Sequence, residues 1–116
     1  MMDRGMLSTG AAKKVTIYLN EDTQHHHGPL YESILTFLMQ NGVAGATATR
    51  AFAGFGGHKV VHTPKIEFLA EHLPIRVEFI ESAAKVEEVL AALSDMVTDG
   101  LVEVQDTNVV KVAKGK

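Results

Sequence analysis

The spacing of apolar residues changes several times along this chain, and the order of those changes limits the fold more than any other feature. Between Lys14 and Asn20 every second residue, Val15, Ile17 and Leu19, is apolar. Side chains alternate between the two faces of a β-strand, so this spacing gathers the three on one face. The segment is therefore predicted to be a strand with one apolar face.

The spacing becomes helical in the segment that begins at Pro29, where leucine, isoleucine and phenylalanine recur every three or four residues. Proline suits the first turn of a helix, because the N–H that it lacks would have no partner there. The pair Asn41-Gly42 tolerates the left-handed backbone that often ends a helix. These signals predict a helix over Pro29–Gln40.

Four further segments continue the alternation. Ala46–Gly54 and Leu73–Glu81 are rich in small, β-branched or alternating apolar residues and are predicted to be strands. Ser82 can cap a second helix, which ends before Asp99-Gly100, and a last strand is expected over Leu101–Val104 or slightly beyond. This order predicts an α+β, ferredoxin-like βαββαβ fold, a four-stranded antiparallel sheet with both helices on one face.

The opposite face of the predicted sheet combines small, β-branched and charged residues. They are Thr16, Tyr18, Thr47, Thr49, Arg76, Glu78 and Glu103. Such a face could meet water, as in many antiparallel sheets. It could equally pack against the same face of other subunits, and spacing alone leaves both alternatives open.

Size and charge narrow the classes of function. With 116 residues the chain has room for one domain, expected at residues 13–112, between a flexible leader at 1–12 and a basic tail at 113–116. The net charge is −3 and no basic stripe is present, which argues against nucleic acid as a partner.

Cysteine and long apolar runs are both absent from the sequence. The lack of cysteine excludes disulfides and thiolate chemistry and fits a reducing compartment. No apolar run approaches the ~20 residues that span a bilayer, so we expect a cytoplasmic protein without direct membrane insertion. No serine or threonine stands in a recognisable nucleophile motif, and the chain is therefore not expected to be an enzyme.

The connection between the second and third predicted strands is much longer than the two to five residues of a usual hairpin. It spans Phe55–His72 and begins among closely spaced glycines. Backbone N–H groups at such glycines can approach an anion, His58 and Lys59 could neutralise a phosphate, and Phe55 could stack on a base. The same glycines could instead form only a tight exit from the strand.

A run of histidines precedes the first helix. His25, His26 and His27 could bring imidazole groups to one metal ion, with His58 or His62 completing the site. Consecutive residues do not share a face, which favours the alternative of a loop whose last histidine helps to cap the helix.

Several stretches together resemble one known family. They are KVTIYLNE at 14–21, HGPLYESILTFLMQNGVAGATATR at 27–50, AGFGGHKVVHT at 53–63, LPIRVEFIES at 73–82 and DMVTDGLVEV at 95–104. Through them the chain resembles the DUF190 proteins, which are PII-like. The resemblance implies a ferredoxin-like fold, a homotrimer whose sheets pack inward, and a long T-loop between the second and third strands.

The segment Gly54-Phe55-Gly56 is similar to the base of the T-loop in PII nitrogen regulators, where adenine nucleotides bind in clefts between subunits. The resemblance implies an adenine nucleotide as candidate effector, and a partner protein, such as a membrane transporter or an enzyme, that reads the T-loop. The ligand-binding residues implied in this way are Arg50, Gly54, Phe55, Gly56, Gly57, His58, Lys59 and His62.

The loop also departs from the classical pattern. Gly57 and His58 stand where a glutamine follows the glycine motif in PII proteins, and the loop has no tyrosine. The ligand is therefore expected to be held differently from ATP in those proteins. A second alternative is a metal-binding trimer similar to the CutA proteins, whose ligands here would be His25, His26, His27 and His58.

Overall fold

A computed structural model of the chain describes residues 7–26, 28–54 and 73–113. The elements follow the predicted order, with a small two-stranded hairpin added before the first helix. In chain order they are β1 (Gly10–Asn20), β2 (Gln24–His25), β3 (Gly28–Pro29), α1 (Leu30–Gln40), β4 (Thr47–Arg50), β5 (Pro74–Glu81), α2 (Ala83–Met96) and β6 (Gly100–Val109).

The main sheet has four strands in the order β4-β5-β1-β6, and all neighbouring strands are antiparallel. β1 therefore lies in the interior, between β5 and β6. The chain passes from β1 to β4 through α1 and from β5 to β6 through α2, and neither of these strand pairs is adjacent in the sheet. This is the ferredoxin-like arrangement, and it confirms the α+β fold predicted from the sequence.

Apolar side chains from β1, β5 and both helices form one core on a single face of the sheet. In the register of β1 with β5, the three apolar residues of each strand lie directly opposite one another. Burial of each large side chain contributes roughly 1.5–3 kcal/mol, so this layer holds the helices on the sheet. The core residues, none more than 5% exposed, are Val15, Ile17, Leu19, Leu30, Ile34, Leu38, Ile75, Val77, Phe79, Val86, Val89 and Leu93.

The other face of the sheet, here called the open face, carries the mixed polar set expected from the sequence. Partners in antiparallel register point to the same side of a sheet. Thr16 lies opposite both Glu78 and Glu103, and Thr47 lies opposite Glu78. The remaining members, Tyr18, Thr49 and Arg76, follow in a second row, which is described with the site below.

Three strands, β1, β4 and β6, differ in length from the predicted ones. β1 begins at Gly10, so the last three residues of the predicted leader form part of the sheet. β6 extends to Val109, well beyond the predicted end near Val104. The two extensions stabilise each other, because Gly10 pairs with Val109 and the ammonium group of Lys13 forms an ion pair with Asp106. β4, in contrast, covers only Thr47–Arg50 of the predicted Ala46–Gly54.

Two buried charged residues fix the loop between α1 and β4. The Glu81 carboxylate is fully buried and accepts hydrogen bonds from the backbone N–H groups of Ala44, at 2.7 Å, and Ser82, at 3.2 Å. The Lys85 ammonium, also buried, donates to the Asn41 carbonyl oxygen at 2.8 Å. Since buried polar groups are costly without partners, these bonds anchor the loop and hence the start of β4.

Neither helix in the described ranges is both long and apolar enough to cross a membrane.

Candidate functional site

A groove with a volume of about 660 Å³ lies at one end of the sheet, where β1 and β4 end and β5 and β6 begin. All four strands therefore contribute to it, together with the residues that flank their ends. The lining residues are Tyr18, Leu19, Asn20, Thr49, Arg50, Ala51, Pro74, Ile75, Arg76, Asp99, Gly100 and Leu101.

Side chains of the open face form one row across the floor of the groove. Thr49 on β4 lies opposite Arg76 on β5, Arg76 lies opposite Tyr18 on β1, and Tyr18 lies opposite Leu101 on β6. Neighbouring strands are about 4.8 Å apart, so the row spans about 14 Å. It runs from a hydroxyl group and a cation to an aromatic ring and an aliphatic side chain.

Arg76 is the cation of this row. Its side chain is 51% exposed, and its Nε lies 3.3 Å from Oε2 of Glu78, two residues further along the same face of β5. The Thr49 hydroxyl lies 3.5 Å from the Arg76 carbonyl oxygen. Arg76 is thus presented to the groove between a neutral hydroxyl group and an aromatic ring.

Arg50, which the sequence predicts to bind a ligand, also lines the groove, but its side chain lies on the helix-covered face. Its register partner is Ile75, a core residue. The Arg50 Nε donates a hydrogen bond to Oε1 of Glu21 at 2.8 Å. This bond, and the negative charge of Glu21, raise the pKa of the guanidinium group above its usual value. Arg50 therefore stays charged at any physiological pH.

The two ends of the long β4–β5 connection are held together beside the groove. The Ala51 N–H donates to the Pro74 carbonyl oxygen at 2.9 Å, and the Glu21 N–H donates to the Leu73 carbonyl oxygen at 3.2 Å. Gly54 has a φ of +156°, and a Cβ atom there would lie 3.3 Å from Cγ of Pro74. These contacts place Gly54 at the base of the connection, as the sequence predicts, and favour glycine at that position.

The β1–β6 side of the groove is closed by a polar contact and a glycine. The Asn20 side chain, which is buried, donates from Nδ2 to Oδ2 of Asp99 at 3.2 Å. A Cβ atom on Gly100 would lie 2.2 Å from the carbonyl oxygen of Tyr18. The backbones of β1 and β6 can approach this closely only because residue 100 has no side chain.

The other predicted ligand residues, Phe55, Gly56, Gly57, His58, Lys59 and His62, lie outside the described residues. The structure therefore brings two members of the predicted set, Arg50 and Gly54, to the base of the connection. The roles of the rest stay predictions.

His25 and His26 are not among the residues that line the groove. His25 Nδ1 lies 3.1 Å from the Ser33 hydroxyl oxygen, and the ring centres of His25 and His26 are 4.5 Å apart. His27 lies outside the described residues. Within residues 7–26, 28–54 and 73–113, no group of three or more histidine, cysteine, aspartate or glutamate side chains is arranged to hold a metal ion.

Sequence reasoning placed Tyr18, Thr49 and Arg76 on the open face but did not assign them to a site. Their signal is the strand register, which gathers them with Leu101 into one row. No spacing within a single strand reveals such a row. A cation, hydroxyl groups and an aromatic ring side by side are suited to binding an anionic ligand that also has a flat or apolar part.

Comparison with known sequences identifies the family. Residues 12–109 match DUF190, a family described as "Uncharacterized ACR". The chain belongs to this family. A curated relative, a UPF0166 protein from Aquifex aeolicus (strain VF5), is 31% identical over 98 residues, which are 84% of this chain and 92% of that protein. The DUF190 match therefore includes the main sheet, both helices and the groove.

Solved structures share the fold of this DUF190 chain. CPII from Thiomonas intermedia K12, bound to ADP, AMP and acetate, is 19% identical, with a TM-score of 0.61 over 90% of this chain and 94% of that chain. The same protein bound to ADP and bicarbonate is 21% identical, with a TM-score of 0.61 over 91% and 95%. At such identities the likeness shows a shared fold, and the fold of this chain is therefore PII-like.

Proposed function

We propose that this DUF190 chain is a PII-like signalling protein that acts by binding rather than by catalysis. Its effector is an adenine nucleotide, which binds in the groove at the base of the β4–β5 connection. A partner protein, such as a membrane transporter or an enzyme in the cytoplasm, then reads the state of that connection, which acts as a T-loop.

The observation that carries this proposal is the position of the groove. The row Thr49, Arg76, Tyr18 and Leu101 offers a cation for phosphate and an aromatic ring for a base, within about 14 Å. The row lies beside the clamped ends of the long connection, so a ligand there would touch the residues from which the connection leaves the sheet. CPII, which has the same fold, binds ADP and AMP.

We further propose that the protein is a homotrimer whose open faces pack together. Two large apolar side chains of that face, Tyr18 and Leu101, are 38% and 57% exposed in the single chain. Packing of the open faces would cover part of each, because they belong to the same row, and would leave the part that lines the groove to the ligand. The groove lies at the end of this face, so a neighbouring subunit would complete its wall.

Ligand-linked stabilisation tests the effector. A ligand at 100 times its Kd stabilises a folded protein by about 2.7 kcal/mol, so saturating ADP or AMP is expected to raise Tm by several degrees. The screen should include ATP, cyclic dinucleotides and adenosine, with guanosine nucleotides as matched controls for the base. The same Tm with every adenine nucleotide, together with no heat of binding by calorimetry, would refute the proposed effector.

A further inference from the structure

We propose that Arg76 is the anion-binding residue of the groove and that Glu78 is its built-in competitor. A ligand that carries phosphate then binds by replacing the Glu78 carboxylate at the Arg76 guanidinium. The inference rests on the proposed function only in taking the groove as the ligand site. It adds that the Arg76 guanidinium attracts the phosphate and that the Glu78 carboxylate must be displaced from it.

The first step concerns which cation faces the groove. Two arginines, Arg50 and Arg76, are the cations among its lining residues. Arg50 projects from the helix-covered face, where its guanidinium donates to Glu21. Arg76 projects from the open face, opposite Thr49 and Tyr18. A phosphate that approaches the floor of the groove therefore meets Arg76.

The second step concerns the ion pair that Arg76 makes. Residues two apart on a strand share a face, so Glu78 is the acidic neighbour of Arg76 along β5. The two side chains are 51% and 33% exposed and their closest atoms are 3.3 Å apart. In the single chain such an exposed pair contributes little, because water and salt screen it. A phosphate carries more charge than a carboxylate and accepts the same two parallel hydrogen bonds from a guanidinium, so its greater charge favours the exchange.

The third step concerns orientation. Asp99 is an acidic group of the groove lining, and it lies on the β6 side. Arg76 and the Thr49 hydroxyl attract phosphate on the opposite, β4–β5 side. The part of the ligand without charge then lies over Tyr18 and Leu101. The ligand therefore lies across the strands, with its phosphate toward β4.

The experiment compares four variants by calorimetry, using ADP, adenosine and inorganic pyrophosphate as probes. Arg76→Gln is expected to weaken ADP binding about ten-fold or more, the size of a lost charge-assisted hydrogen bond, and to leave adenosine binding unchanged. Glu78→Gln is expected to tighten ADP binding about two- to five-fold, because the competitor is removed. Lys13→Gln and Asp106→Asn remove a comparable exposed ion pair far from the groove, and both should bind like the wild type.

Two results separate this inference from the proposed function. If Arg76→Gln and Glu78→Gln both bind ADP with the affinity of the wild type, the inference is overturned and the proposed function stands. Binding of pyrophosphate through Arg76, without binding of any adenine nucleotide, supports the inference and refutes the effector. If the wild type binds neither probe, both are overturned.

Folding and assembly are checked for each variant by circular dichroism and light scattering. If Arg76→Gln alters either, Arg76→Lys replaces it, since lysine keeps the charge but loses the planar fork of donors. Arg76→Lys is expected to bind ADP several-fold more weakly than the wild type does. If it binds ADP as tightly as the wild type, the inference is overturned.

Discussion

At the scale of single residues, Gly100 shows how a missing side chain shapes the site. β6 starts here, directly against the backbone of Tyr18 on β1. Any Cβ atom would overlap a carbonyl oxygen that belongs to the interior strand and cannot move independently of the core. The residue therefore sets both the register of β6 and the shape of the groove wall.

Gly100→Ala should destabilise the fold, because the new methyl group would lie 2.2 Å from the Tyr18 carbonyl oxygen and force the two strands apart. We expect a loss of about 1–3 kcal/mol in the free energy of unfolding, the usual range for overpacking. Chemical denaturation would measure it. Gly45→Ala is the matched control, since a Cβ there meets nothing within 4 Å. Equal stability of the two variants would contradict the close approach.

Residues of the candidate site were predictable to different extents. Gly54 could be placed at the base of the connection because a glycine motif directly follows a strand pattern. Arg50 was expected to bind a ligand; it lines the groove, with its side chain on the helix-covered face because it pairs with Ile75. Arg76 was missed as a site residue, since only the pairing of β5 with β1 and β4 brings it beside Tyr18 and Thr49.

At the scale of elements, strands with a strong apolar alternation were predicted well. β5 covers Pro74–Glu81 and differs from the prediction by one residue, because Ile75, Val77 and Phe79 alternate strictly with more exposed residues. β6 was predicted too short, since Gln105, Asp106 and Asn108 resemble loop residues. They are strand residues because their backbone groups pair with those of β1. Backbone hydrogen bonds between strands form whatever the side chains are, so an edge strand such as β6 does not need apolar residues.

The ion pair in this β1–β6 extension should make stability depend weakly on pH. The hydrogen bond from Lys13, followed by its charge, lowers the pKa of the Asp106 carboxyl group. A lowered pKa in the folded state means that the pair stabilises the fold above the unfolded-state pKa, near 4. This contribution is lost as the pH falls through the lower, folded-state value.

Denaturation of the wild type, Asp106→Asn and Lys13→Gln at several pH values would measure this effect. At neutral pH both variants should be slightly less stable than the wild type. The differences should disappear in strong acid and shrink in high salt, because the pair is exposed. A difference that stays constant from neutral pH to strong acid would show that the pair does not stabilise the strands.

At the scale of the whole molecule, the open face carries the proposal of a trimer. Tyr18 and Leu101 lie beside each other at the end of this face and are 38% and 57% exposed in the single chain. In the proposed trimer these side chains pack against neighbouring subunits, and the groove becomes a cleft between subunits. Assembly and ligand binding would then depend on the same row of residues.

Leu101→Glu should therefore dissociate the trimer, because a charge would be buried among apolar side chains. Light scattering should give three times 12.5 kDa for the wild type and a lower mass for the variant at micromolar concentration. Met39→Glu is the matched control, as Met39 is 70% exposed on α1. A wild type that is monomeric, or a variant that keeps the trimeric mass, would contradict the proposed assembly.

The clamp formed by Ala51, Glu21, Leu73 and Pro74 has a consequence for how much the length of the connection matters to stability. Because backbone hydrogen bonds hold the two ends together at the sheet, the entropy of closing the intervening segment depends only weakly on its length. Doubling a flexible loop costs only about 0.6 kcal/mol. Lengthening or shortening the segment between Ala51 and Leu73 should therefore change the free energy of unfolding only slightly, while the core and the groove stay intact.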